Sequence, residues 1–234
     1  APQAEDPQKL LADTIAAVRS EPLINVLTHA EVQAVSGYTG QYRSTVRLND
    51  GSQVELAHGV ILVATGGIEI TPHEYLYGQH ERVITQRQLE QHLCNPVFAE
   101  SLAGQTLVMI QCVGSRDEEH PYCSRVCCTQ ALKNALAIKK KTPSAKILVL
   151  YRDMRSYGFR EQLYRQARQA GVIFLEYSET DKPQVTPAQG GALNLFVAVQ
   201  PERSLLSLNT DWVILSAGIA PEPGNHRLAQ LLKV

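Results

Sequence analysis

A segment near the middle of the chain carries cysteines where a nucleotide-binding fold would carry glycines. An apolar run from Thr106 to Gln111 predicts a strand, and an amphipathic stretch from about Ser124 predicts the helix that follows. A dinucleotide fingerprint needs glycines directly after such a strand, because they let the backbone approach a pyrophosphate at the helix N-terminus. Only Gly114 stands in this loop, beside charged residues from Arg116 to Glu119. The pattern indicates a lost nicotinamide site and predicts an electron carrier in its place.

The cysteines themselves have spacings that suit a metal. They follow the pattern C-x10-C-x3-C-C and comprise Cys112, Cys123, Cys127 and Cys128. Four thiolates converging from a compact loop are typical of an iron-sulfur cluster, and a helix N-terminus lowers thiol pKa values. Adjacent ligating cysteines are unusual, so a fourth ligand from elsewhere stays open. Structural zinc is the competing metal, and a disulfide or plain buried thiols are further alternatives.

Composition excludes several classes of function. The chain has 234 residues, a formal net charge of -1 and 19% charged residues, and its longest basic run is Lys139 to Lys141. Nothing in it predicts a nucleic-acid or membrane surface, and no apolar stretch approaches the roughly 20 residues that span a bilayer. Four of five cysteines cluster, which favours metal or redox use over a secreted disulfide framework. We therefore expect a cytoplasmic protein, with the separate Cys94 as a semi-buried packing thiol.

Hydrophobic periodicity predicts two kinds of architecture along the chain. The first part comprises a helix over 8–19 and strands over 24–32, 42–49 and 53–67, the last ending in the buried run VILVATGG. A parallel-sheet unit of strand, helix, strand, helix and strand follows from about Gly104. A hairpin turning at Gly190-Gly191 closes that unit.

Two short motifs flank this parallel-sheet unit. Ala64, Thr65, Gly66 and Gly67 form an ATG motif, and Trp212 to Pro223 reads WVILSAGIAPEP. Both resemble the strands at which the nicotinamide domain crosses into the flavin domain in oxidoreductases of the thioredoxin reductase and glutathione reductase type. The resemblance implies that FAD lies near two sets of residues in a full-length parent protein: Ala64, Thr65, Gly66 and Gly67, and Ser216, Ala217, Gly218 and Ile219.

The fold class follows from the pattern and this resemblance together. We predict an α/β protein, with a Rossmann-like, thioredoxin-reductase-type inserted domain and part of a flavin domain that contains a β-meander. The predicted division has four intervals: a partial flavin domain at 1–67, a linker with a short helix at 68–103, a nucleotide-domain-like unit with the cysteine loop at 104–210, and a return strand toward the flavin domain at 211–234.

The stretch CVGSRDEEHPYCSRVCC, with VLYRDMRSYGFREQLYRQARQAGVIFLEY and LSAGIAPEP, resembles the heterodisulfide reductase A-subunit family and its relatives in quinone-interacting membrane-bound oxidoreductase complexes. The resemblance implies FAD in the core, a cubane four-iron (4Fe-4S) cluster on the four loop cysteines, and electron relay between FAD and other iron-sulfur centres. Its implied partners are other redox subunits, of the heterodisulfide reductase B and C type or the quinone-interacting type.

The chain departs from that family in lacking a flavin-type glycine fingerprint. We interpret it as a middle portion of a longer protein that does not hold FAD or catalyse by itself. Arg152 and Asp153 end the second inserted strand, where related enzymes recognise a ribose, and we expect them to cap the strand end. Two other functions stay open: an NAD(P)H-binding domain of a pyridine nucleotide-disulfide oxidoreductase, and a zinc-stapled interaction module.

Overall fold

The computed structural model describes residues 7–233, which divide into two compact units. Within the described residues, one unit holds 7–65 together with 222–233, and the other is Gly66–Pro221. None of the helices within 7–233 is long and apolar enough to cross a membrane.

The first unit is built around a three-stranded antiparallel meander. Its strands run in the order β1-β2-β3, with Arg47 opposite both Glu31 and Gln53. A turn at Asn49 to Gly51 joins the second and third strands. The elements of this unit are α1 (Pro7–Ser20), β1 (Glu31–Tyr38), β2 (Gln41–Arg47), β3 (Gln53–His58) and α6 (Asn225–Leu232).

Two strand predictions in this unit are wrong in part. The strand predicted over 24–32 begins only at Glu31, and the predicted buried strand over 60–67 is irregular as far as Gly66. Its apolar side chains are exposed, with Leu62 89% and Val60 67% accessible. A strand needs a neighbour for its backbone groups, and no strand among residues 7–65 and 222–233 pairs with this segment. Apolar pattern alone therefore overstates its regularity.

The second unit contains a five-stranded parallel sheet. Its order is β5-β12-β6-β7-β8, and every neighbouring pair is parallel. The strands are β5 (Val83–Thr85), β6 (Thr106–Val113), β7 (Lys146–Tyr151), β8 (Ile173–Glu176) and β12 (Trp212–Ala217). β12 thus lies inside this sheet, beside β6.

Helices join the strands of this sheet. The helices are α2 (Gln86–Leu93), α3 (Pro96–Ser101), α4 (Cys127–Lys141) and α5 (Glu161–Gln169), with a 3-10 turn at Gly158–Arg160. α2 starts with a reciprocal capping box between Thr85 and Gln88. The predicted strand, helix, strand, helix, strand order is confirmed.

The remaining strands form two small antiparallel sheets. β9 (Gln184–Pro187), β10 (Leu193–Val199) and β11 (Ser204–Thr210) pair in the order β11-β10-β9, and β4 (Gly67–Glu69) pairs with β13 (Ile219–Pro221). Short 3-10 turns lie at Glu179–Asp181 and Gln189–Gly191. The hairpin predicted around Gly190-Gly191 is confirmed, whereas the sequence pattern does not predict β11.

Side chains of β6 alternate between two cores on the two faces of the parallel sheet. Leu107 and Met109 belong to the core that includes residues of α2 to α5. Val108 and Ile110 belong to the core that includes β10. Because both faces are covered, the strand reads as one continuous apolar run. The predicted α/β class, with a Rossmann-like sheet and a separate meander, is confirmed.

Candidate metal centre

Cys112 lies in a β-bulge at the end of β6. Leu215 pairs with Ile110 and Ala217 with Val113, so two residues of β6, Gln111 and Cys112, stand opposite the single Ser216 of β12. Cys112 has a φ of 64°, which is uncommon for a residue with a Cβ and costs about 1–3 kcal/mol. A bulge re-aims a side chain away from the regular alternation. The local backbone is thus strained where it directs this thiol.

The loop after Cys112 folds back on itself and carries Cys123. The Arg116 N–H donates to the carbonyls of His120 at 2.7 Å and Tyr122 at 3.1 Å. The Arg125 N–H lies 3.3 Å from the Cys123 sulfur. The Ser124 hydroxyl accepts the Ile219 N–H at 2.8 Å, which ties the loop to β13.

Cys127 and Cys128 are the first two residues of α4, and both are buried. The Cys127 thiol lies 3.4 Å from the Ala217 carbonyl of β12, and the Cys128 thiol lies 4.0 Å from the Asp153 carbonyl. No side chain within 7–233 caps the start of α4. The N–H groups of a first turn point outward and favour negative charge, so this helix end suits thiolates.

Burial raises the pKa values of three of the four thiols. Burial, together with negative charge on Cys128, Cys112 and Cys123, raises the pKa of Cys127 to about 12. Burial is also the largest cause of the raised pKa values of Cys112 and Cys128. The expected lowering by the helix N-terminus is therefore outweighed by desolvation. Each of these pKa values responds to Cys123, so the four thiols lie within electrostatic reach of one another.

A set of paired charged side chains lies beside Cys112. The Arg116 guanidinium lies 3.9 Å from the Cys112 sulfur and 2.6 Å from the Asp153 carboxylate. Arg155 donates to both oxygens of the same carboxylate at 3.1 Å. Arg152 donates to the Arg116 carbonyl at 2.8 Å and pairs with Glu179. Arg152 and Asp153 thus hold the cysteine loop in place. The sequence does not predict this role, because Arg152 and its partner Arg116 lie 36 residues apart and local spacing does not indicate contacts at that distance.

The two flavin-type motifs meet in part. Ile68 pairs with Ala220, and a Cβ on Gly67 would lie 2.8 Å from the Ala220 oxygen. A Cβ on Gly218 would lie 2.9 Å from both the Gly114 oxygen and the Ser115 Cβ. The segment 216–219, which we call the SAGI motif, therefore lies directly against the cysteine loop. Ala64 and Thr65 belong to the other unit and Gly66 and Gly67 to this one.

The four thiols fit the donor set of a cubane four-iron cluster, which is held by four cysteine thiolates, and structural zinc uses the same donor set. Across residues 7–233, no group of three or more His, Cys, Asp or Glu side chains is already placed around one metal ion. All five cysteines are free thiols.

Gln111, in the same bulge as Cys112, supports that fit. Its side chain is fully buried, and neither amide atom has a hydrogen-bond partner among the described residues. Buried amides without partners are rare in native proteins, and a bound group that accepts or donates would satisfy this one. The sulfurs of an iron-sulfur cluster would supply acceptors. Cys94, in contrast, is exposed just after α2, so the prediction of a semi-buried packing thiol is wrong.

Curated relatives match much of the chain at moderate identity, although no family model matches it. The chain is 36% identical over 198 residues to the iron-sulfur A subunit of the CoB-CoM heterodisulfide reductase of Methanocaldococcus jannaschii, covering 77% of this chain and 29% of that protein. It is 34% identical over 221 residues to the A subunit of the ferredoxin:CoB-CoM heterodisulfide reductase of Methanosarcina acetivorans, covering 77% of this chain and 27% of that protein. The chain spans less than a third of the length of these relatives.

Solved structures share the fold at low identity. An ornithine N-hydroxylase from Kutzneria sp. 744 matches with a TM-score of 0.53 and 10% identity over 97% of this chain and 62% of its own. LpdA from Mycobacterium tuberculosis matches with a TM-score of 0.51 and 16% identity over 96% of this chain and 42% of its own. The sequence relatives show that the chain belongs to the heterodisulfide reductase A-subunit family, in which it matches a segment of the longer members, and the solved structures show that it shares their fold.

Proposed function

We propose that this chain is the segment of a flavin and iron-sulfur oxidoreductase that relays single electrons between FAD and other iron-sulfur centres. In this proposal Cys112, Cys123, Cys127 and Cys128 hold a four-iron cluster. The residues Ala64 to Gly67 and Ser216 to Ile219 approach the flavin in the full-length parent. The chain alone is not the catalytic unit.

One observation carries the proposal: the thiol set and the flavin-type motif share an edge. The Cys127 sulfur lies 3.4 Å from the Ala217 carbonyl, and the Gly218 N–H donates to the Val113 carbonyl at 2.8 Å. A flavin at the SAGI motif and a cluster on the thiols would therefore be separated by little more than this strand end. Short separations favour electron transfer between two bound groups.

The chain's own residues prepare the site for a negatively charged group. The Arg125 N–H donates toward Cys123, and the uncapped start of α4 directs further N–H groups outward. Binding a metal requires the thiols to lose protons, and the raised pKa values of Cys112, Cys127 and Cys128 make that loss depend on the metal. When bound, the cluster would supply one-electron chemistry.

We also propose that the protein works inside a redox complex. Both sequence relatives are A subunits of heterodisulfide reductases, and this chain spans less than a third of their length. The partners would be other subunits of such a complex, of the heterodisulfide reductase B and C type or the quinone-interacting type. We propose a cytoplasmic location for it.

Iron and sulfide analysis after oxygen-free purification tests the cluster. The expected result is about four iron and four sulfide per chain, with broad absorption at roughly 400 nm from thiolate-to-iron charge transfer. Replacing each of the four loop cysteines in turn by serine should remove this absorption. Cys94→Ser is the matched control and should retain it, because Cys94 is exposed and outside the site.

Other results would point elsewhere. One zinc per chain with no iron would favour the zinc-stapled module. Tight NADPH binding in calorimetry that survives all four cysteine substitutions would favour a nucleotide-binding domain. Either outcome would refute the relay.

A further inference from the structure

Two arginines bracket one carboxylate beside the thiols. We call Arg116, Asp153 and Arg155 the arginine clamp. Asp153 accepts from Arg116 at 2.6 Å and from Arg155 at 3.1 Å, so the clamp carries a net charge of one positive unit. Both guanidiniums are thereby fixed in orientation, since pairing with a carboxylate restricts the plane of the group.

The clamp reaches three of the four thiols. Arg116 lies 3.9 Å from the Cys112 sulfur, and the Asp153 carbonyl lies 4.0 Å from the Cys128 sulfur. The pKa of Arg155 is raised, first by its hydrogen bond to Asp153 and also by the charge of Cys123. Its backbone N–H also donates toward Cys128. Within 7–233, Arg116 and Arg155 are the charged side chains that donate toward sulfurs of the set.

Burial decides how strongly each arginine acts. The Arg116 side chain is 20% exposed and that of Arg155 40% exposed. Water screens exposed charges, whereas a charge held in a partly buried site interacts through a lower effective dielectric constant. Glu118 and Glu119, which would oppose the clamp, lie on the outer part of the loop and are more strongly screened. Arg116 should therefore contribute more than Arg155 to the positive electrostatic potential at the thiols.

We propose that the arginine clamp raises the reduction potential of the cluster held by the loop cysteines, with Arg116 and Arg155 offsetting its negative charge and Asp153 positioning both. This rests on the proposed function. Gaining one electron makes the bound group more negative, so fixed positive charge favours the reduced form.

A redox titration of the anaerobically purified chain, followed by the electron paramagnetic resonance signal of the reduced cluster, tests this proposal. At the wild-type midpoint, Arg116→Gln should lower the ratio of reduced to oxidised cluster roughly tenfold, which is about 59 mV for one electron. Arg155→Gln should lower it less. Arg116→Lys keeps the charge and should restore most of the ratio.

Arg165→Gln is the control, because Arg165 is 72% exposed and pairs with Glu161 on α5. It removes the same charge and should change the ratio less than twofold. Equal shifts for Arg116→Gln and Arg116→Lys, or for Arg165→Gln, would overturn the proposal, since the effect would then be structural or nonspecific. An unchanged potential in a fully loaded Arg116→Gln protein would overturn it and leave the relay standing, whereas absence of iron from the wild type would overturn both.

The positioning role of Asp153 is tested by a double-mutant cycle on the potential. If Asp153 holds Arg116 against Cys112, Arg116→Gln should have a markedly smaller effect in an Asp153→Asn background than in the wild type. Equal effects in the two backgrounds would contradict that role.

Discussion

Gln111 and Gln86 offer a matched test of whether the site is built for a bound group. Both side chains are buried, at 0% and 1% exposure. Gln86 donates to Ser216 at 3.2 Å and accepts from Asn134 at 2.8 Å, whereas the Gln111 amide has no partner within the described residues. The same substitution should therefore change the free energy of unfolding in opposite directions at the two positions.

Methionine is the appropriate replacement, because it is unbranched, similar in length and flexible. An unpaired buried amide costs about 1–3 kcal/mol, so Gln111→Met should stabilise the metal-free protein by about that amount. Gln86→Met removes two hydrogen bonds and leaves Asn134 and Ser216 short of partners. It should destabilise by about 2–4 kcal/mol.

Urea unfolding followed by Trp212 fluorescence measures both effects. Trp212 is the single tryptophan and lies on β12, so it reports the unit that contains the site. Each kcal/mol also shifts the melting temperature of a chain of this size by about 2–4 °C. If Gln111→Met destabilises as much as Gln86→Met, the Gln111 amide has a partner in the metal-free protein, and it no longer supports an open position for a cluster.

Three further predictions concern other parts of the same unit. Gly218→Ala should lower the free energy of unfolding by about 1–3 kcal/mol in urea, because its Cβ would lie 2.9 Å from the Gly114 oxygen. An unchanged unfolding midpoint would mean that the end of β12 shifts to accommodate the methyl group. Thr85→Ala should cost about 1 kcal/mol by removing the cap of α2, and Thr85→Ser should restore most of it. Tyr177→Phe should cost about 0.5–1.5 kcal/mol at pH 7 by removing the 2.6 Å hydrogen bond to the Gln111 carbonyl. Burial raises the Tyr177 pKa above its ordinary 10.0, so the unfolded chain loses this proton at lower pH than the folded protein and the free energy of unfolding falls above pH 10. Melting temperatures measured from pH 7 to 11 should show the stability advantage of the wild type over Tyr177→Phe shrinking. A constant difference between the two proteins would contradict this expectation.

The parallel-sheet unit is predictable because its signals are local and agree with one another. The apolar runs that form β6, β7 and β8 are bounded by turn residues and separated by amphipathic helices, and the structure contains all of these elements. α4 begins at Cys127, three residues later than predicted, because the preceding loop is held by Ser124 and Arg116. Such tertiary contacts leave no periodic pattern in the sequence.

The cysteine spacing predicts candidate ligands, whereas it does not predict the residues around them. The cysteine spacing identifies four candidate ligands, but nothing local indicates that Asp153 clamps Arg116, since the two lie 37 residues apart in sequence. The sequence also does not predict the bulge at Cys112, because an apolar run does not show where the pairing between two strands changes register. At the segment 60–66 the pattern misleads, since backbone pairing is decided by neighbours and not by the residues of one strand.

The bulge on β6 has a consequence for how the site is assembled. Cys112 is presented by a sheet strand that is covered on both faces, while the other three cysteines lie in the loop and at the start of the helix after it. In the proposed cluster site, the Cys112 thiol is anchored in the sheet and cannot adjust to the bound group, so the loop has to change conformation to accommodate it. Shortening or lengthening the loop between Val113 and Tyr122 should therefore disturb insertion of the metal far more than folding of the sheet.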